Sequence, residues 1–188
     1  LHGGCAVNRL LLALMIGFGL ATTAVAEPDR VVEARALTSA LQQQLGAALK
    51  QAMTTGGPRA AIEVCQVQAP AIAAALSFDA TVGRTSLRVR NPDNAPDAAA
   101  REVLAEFTTR IHGGEQGRLE HFEQRADGSA RYMRAIITQP VCELCHGTSL
   151  APGIAEELAL RYPRDAATGF RAGELRGAFI VDWPEDAP

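Results

Sequence analysis

Two cysteines and a histidine stand at a spacing that does chemistry: Cys142, Cys145 and His146, in the run VCELCHG. A thiol, two intervening residues, a second thiol and an adjoining imidazole make the C-x-x-C-H pattern of c-type haem attachment. The thiols add to the two vinyl groups of the porphyrin, and the imidazole reaches the iron from one side. Two rival uses of these residues fit less well. A four-ligand zinc site needs a second pair of ligands, and Cys65, His112 and His121 are what remains to build it. A thioredoxin-type dithiol belongs between an early strand and a helix, whereas this motif lies late in the chain. The expectation is one covalent haem c, held through Cys142 and Cys145, with His146 as an axial ligand.

The other side of the iron has several candidates: Met53, Met133, His112, His121, Lys50 and Cys65. Met53 closes a stripe of leucines, where core packing is its simplest use. Met133 lies on a strand and can face either way. His112 ends a helix, where a histidine complements the helix dipole. His121 sits between Glu120 and Glu123 and reads as solvent-facing, and Lys50 reads as a solvated charge. Cys65 is a lone thiol on an apolar helix face. It is either a small buried hydrophobe or a thiol that a metal's charge would deprotonate. The residues alone leave both readings open.

The elements that must position these groups are legible in outline. Residues 1–26 read as a signal peptide: Arg9, an apolar run from Leu10 to Leu20, then Ala24 and Ala26 in an A-x-A cleavage pattern. A membrane anchor would need about 20 apolar residues without that ending. Export to the periplasm is expected, leaving 27–188 as a single domain with no membrane span. Loss of Arg9 takes the net charge of −3 to −4, which offers no basic surface for nucleic acid. An oxidising compartment usually pairs cysteines, so Cys65 is a surplus thiol.

Leu37, Leu41, Leu45, Leu49 and Met53 recur every four residues and predict a long helix over 29–54. Gly56-Gly57-Pro58 ends it, and a second helix over 59–76 carries Cys65, with Pro70 kinking or splitting it. Alternation in TVGRTSLRVR predicts a strand over 81–90, with Arg84, Ser86, Arg88 and Arg90 on one side. Asp97 is placed to N-cap a helix over 98–111. A hairpin follows, over 118–124 and 131–138, then the cysteine motif, a short helix over 153–161 and a buried strand over 177–181. Helices followed by antiparallel strands make the class α+β.

Three separated stretches, AAIEVCQVQAPAIA, VGRTSLRVRNPDNAPD and VCELCHG, resemble a bacterial family of c-type haem proteins with a PAS-like fold, first defined as a domain of unknown function. The resemblance spans nearly all of the chain after the leader. It implies a PAS-like antiparallel sheet flanked by helices, a long N-terminal helix, and one haem with histidine and cysteine axial ligands. Carried onto this sequence, that pair is His146 and Cys65. Arg84, Arg88 and Arg90 are candidates for the haem propionates, to which guanidinium groups are suited; Arg84 is equally read as part of a solvated strand face, and Arg88 and Arg90, inside the second stretch, are expected to serve the haem or its loop. Tyr132 and Trp183 are candidates for the pocket or the core.

Three functions follow. The first is a haem-based redox or ligand sensor acting on a separate protein partner. The second is a periplasmic electron carrier, with cysteine or a Met/His ligand opposite His146. The third is a cytochrome c′-like gas-binding helical bundle, which the strand-like stretches oppose. A six-coordinate iron argues against an enzyme.

Overall fold

The structure, a computed structural model, describes residues 1–2 and 27–185. The apolar run and cleavage pattern read as a leader therefore lie outside the described residues.

Helix α1 (Glu27–Glu63) follows the leucine stripe, and it breaks at Gly57, whose φ of 68° and ψ of −162° only glycine adopts freely. The second half folds back, so that Ala61, Val64 and Ala69 pack on Leu45 and Ala52. A π turn (Val64–Gln68) then leads into α2 (Ala69–Ala75), with Pro70 in its first turn. Proline cannot donate to the turn before it, and widening that turn into a π helix is one way a helix absorbs the defect. Cys65 sits in this widened turn.

Among the described residues, four strands form one antiparallel sheet in the order β1-β4-β3-β2: β1 (Thr81–Thr85), β2 (Glu120–Gln124), β3 (Ala130–Ile137) and β4 (Leu175–Trp183). Alternation sends Val82, Tyr132, Phe179, Val181 and Trp183 to one face, where Ala34 and Leu41 of α1 cover them. Helix α3 (Ala98–His112) covers the other face, setting Val103, Leu104 and Phe107 on Met133 and Ala178. Each of the largest buried side chains contributes ~1.5–3 kcal/mol through its removal from water. Asp97 caps α3 as expected, its carboxylate accepting from the Ala100 amide at 2.8 Å. Two short helices remain, α4 (Glu143–His146) and α5 (Pro152–Arg161). This is the α+β, PAS-like arrangement expected, with a long N-terminal helix and an antiparallel sheet between helices. It excludes the helical bundle.

The strand expected over 81–90 stops at Thr85. A Cβ on Gly177 would lie 2.3 Å from the Thr85 carbonyl, so the two backbones meet there more closely than any side chain permits. Beyond it Ser86 donates to the Arg176 carbonyl at 2.7 Å, and the chain leaves the sheet. Arg88 and Arg90 therefore belong to a loop and do not share a strand face with Arg84. Across the sheet Ile136 pairs with Gly177 and Ile137 with Leu175, which makes Arg176 the extra residue of a bulge.

No helix among the described residues is long and apolar enough to cross a membrane.

Candidate functional site

Cys142 ends a 3-10 turn begun by Pro140, and Cys145 and His146 lie in the single turn of α4 that follows. So short a helix has no stability of its own; the loop 165–174 holds it. The Phe170 amide donates to the His146 carbonyl and the Gly169 amide to that of Gly147, both at 2.9 Å. The Ala172 amide donates to the Glu143 carboxylate at 2.7 Å. Cys145 packs with Ile62, Ile154 and Leu158, between the second half of α1 and α5.

His146 is fixed by one contact. Its Nδ1 lies 2.7 Å from the Ala167 carbonyl oxygen. A carbonyl only accepts, so Nδ1 carries the proton and Nε2 keeps its lone pair for a metal. Burial, with Arg176, Arg90 and Arg84 nearby, pushes the imidazole pKa down to about 2 against the opposing pull of that hydrogen bond. The ring is neutral. Phe170 meets it edge-on at 6.3 Å between centroids.

Arg90 is buried and holds the motif in place. Its guanidinium donates to the Cys145 carbonyl at 2.6 Å, to the Ala167 carbonyl at 3.2 Å and to Asp165 at 2.9 Å. Asp165 in turn accepts from the Ala167 amide at 2.7 Å. Arg88 donates to the Thr168 carbonyl at 2.8 Å and stacks over Phe170 at 3.6 Å. Both arginines hold the loop 165–174 that packs on α4.

Cys65 is half-buried on the wall of a cavity of about 990 Å³, with Arg84, Arg90, Tyr162 and Ala69 among its neighbours. That volume is at the upper end of the ~300–1,000 Å³ of cofactor sites. Cys142, Cys145 and His146 do not line it; Arg90, which does, donates to the Cys145 carbonyl. Cys65 is close to them nonetheless. The Cys145 thiol is pushed up by burial, with Cys65 and Cys142 adding to the rise and Arg90 opposing it. No disulfide joins the three.

The other ligand candidates are elsewhere. Met133 is fully buried on the α3 side of the sheet, and Met53 packs beside Leu45 and Ala52. Lys50 and His112 are exposed, and His121 lies on β2. Tyr132 and Trp183 are in the core against α1, the Tyr132 hydroxyl donating to Glu120 at 2.6 Å. Asn91 accepts from the Asp93 amide and fixes its loop. Sequence reasoning missed Asp165, Ala167, Phe170 and Arg176. Two act through backbone geometry or a carbonyl, which leaves no mark in residue type.

The residues suit a covalently attached haem: two thiols three positions apart, a neutral imidazole with one nitrogen free, and a third thiol beside a cofactor-sized cavity. The Tll0287-like family model matches residues 21–184. The crystal structure of the cyanobacterial heme-protein Tll0287 is similar at a TM-score of 0.60 and 28% identity, covering 86% of this chain and 100% of that one. No curated protein matches. With the match running from residue 21 to the end of β4 and the fold in agreement, the chain belongs to the Tll0287-like family.

Proposed function

We propose that this chain is an exported monohaem c-type cytochrome whose work is redox sensing or electron transfer in the periplasm. The observation that carries the reading is the 2.7 Å contact between His146 Nδ1 and the Ala167 carbonyl. It presents a neutral Nε2 directly after two thiols at haem-attachment spacing. The similarity to a cyanobacterial heme-protein supports the same cofactor.

In this reading Cys142 and Cys145 would hold the haem through thioethers, and His146 and Cys65 would ligate its iron. Bound haem supplies a one-electron couple. The protein holds it still: Arg90 and Asp165 fix the motif, Ala167 fixes the imidazole, and Phe170 shields it. A thiolate ligand donates electron density and favours the ferric state, where a methionine would raise the potential. An iron held by two protein ligands would favour electron transfer over catalysis. The partner is a separate redox or signalling protein.

The test is the absorption and electron paramagnetic resonance spectra of the haem-loaded protein beside Cys65→Ser. A low-spin ferric signal of thiolate character, lost in the variant, is expected. Identical spectra would remove Cys65 from the iron. Absence of covalent haem from the wild type would overturn the reading as a whole.

A further inference from the structure

Three guanidinium groups, those of Arg84, Arg90 and Arg176, crowd around His146, each bearing on its charge. Asp165 is the carboxylate among them, and it is spent on Arg90 at 2.9 Å. Arg176 donates to the Ser86 hydroxyl at 3.3 Å and leans over Phe170 at 4.9 Å; it has no carboxylate within ion-pair distance among the described residues. Arg84 has neither a hydrogen-bond nor an ion-pair partner among them, and it opens onto the cavity beside Cys65. Burial lowers the pKa of both, Arg176 to about 10, with Cys65 partly offsetting it in each case. A buried charge without a partner is costly, and native proteins carry one where a ligand completes it.

The placement is informative as well as the charge. Arg84 lines the cavity together with Cys65 and Arg90. Arg176 leans over Phe170, whose ring meets His146 edge-on. A haem held by this site would bring two carboxylates, its propionates, into the same region. Arg84 is brought there by the end of β1, opposite Phe179. Arg176 is brought there by the bulge in β4, a device that re-aims a side chain next to a site.

We propose that Arg84 and Arg176 are the propionate-binding residues of the haem site, a role that Arg90 leaves to them because it is engaged by Asp165, Cys145 and Ala167, and Arg88 because it is drawn to the Thr168 carbonyl and Glu174. This rests on the haem reading above. Two cations without carboxylate partners meet two carboxylates of one cofactor, and the pairing cancels the charge that the fold leaves around His146.

The experiment uses haem-loaded protein and the variants Arg84→Gln, Arg176→Gln and Arg84→Lys, with Arg110→Gln on the exposed side of α3 as control. Covalent haem is measured by the pyridine haemochrome, and the midpoint potential is followed from pH 5 to pH 9. A cation near the iron stabilises the reduced form, so each glutamine variant is expected to keep its haem and lose roughly tenfold in that preference, about 59 mV downward for a one-electron couple. Its potential also becomes more dependent on pH as a freed propionate titrates. Arg84→Lys restores most of the potential, and the control changes neither quantity. Loaded variants with wild-type potentials and pH profiles would overturn the pairing while leaving the haem reading intact. A wild type without covalent haem would defeat both. Should the glutamine variants fail to fold, infrared spectra of wild type bearing ¹³C-labelled propionates decide: carboxylates ionised across the whole pH range support the pairing, and a propionate titrating within it refutes it.

Discussion

Ala167 has no side-chain chemistry, yet its carbonyl selects the tautomer of His146. It can do so because Asp165 holds the Ala167 amide with one carboxylate oxygen and Arg90 with the other. Removing that carboxylate would leave a buried guanidinium unpaired. Asp165→Ala is therefore expected to cost about 3 kcal/mol, read as a fall in urea midpoint at constant slope. An Arg90→Met, Asp165→Leu double variant should recover part of that stability, since the pair's geometry matters more than its attraction. It should not recover the spectrum of a well-oriented histidine. Equal stability of Asp165→Ala and wild type would show that the pair is not a structural anchor.

At the scale of elements, two departures from regularity aim the site. The break at Gly57 turns the second half of α1 back so that Ile62 meets α5 and Cys65 lies near the motif. Alanine at φ 68° and ψ −162° is strained by ~1–3 kcal/mol. Gly57→Ala is expected to lower the melting temperature and to weaken thiolate character in the haem spectrum together; a loss of stability with an unchanged spectrum would separate the break from the site. Cap loss acts on α3 instead. Asp97→Ala removes the hydrogen bond to the Ala100 amide and the ion pair with Arg131 and should cost about 1 kcal/mol, read as a fall in urea midpoint.

The whole molecule carries its acid sensitivity in carboxylates far from the cysteine motif. Burial raises the Glu120 pKa, but hydrogen bonds from Arg35 and Tyr132 outweigh it and leave the carboxyl below its usual range. The Ala100 amide and Arg131 likewise lower Asp97. A carboxyl depressed in the folded state contributes stability above its unfolded pKa and loses it as pH falls through the folded value. Stability should thus hold from pH 7 to about pH 5 and fall below the ordinary carboxylate values of ~4. Glu120→Gln is expected to make that fall shallower, as measured by denaturation at pH 7, 5 and 3. A slope identical to wild type would place the acid sensitivity elsewhere.

Local pattern sufficed for much of this protein. The C-x-x-C-H run, the leucine stripe of α1, the Asp97 cap and the β2–β3 hairpin depend on interactions between near neighbours, so residue type and period reveal them. The α+β class follows from their order. The end of β1 at Thr85 was hidden, because it depends on how closely Gly177 approaches from a strand some 90 residues later. So was the engagement of Arg88 and Arg90: alternation placed them beside Arg84, and the loop 165–174 claimed them instead. Asp165, Ala167 and Arg176 entered the site through a backbone carbonyl, a turn and a bulge. Such features have no residue-type signature, since they arise from where the chain passes in space. Residue chemistry was written in the sequence, and the partners of each residue were decided by the tertiary fold.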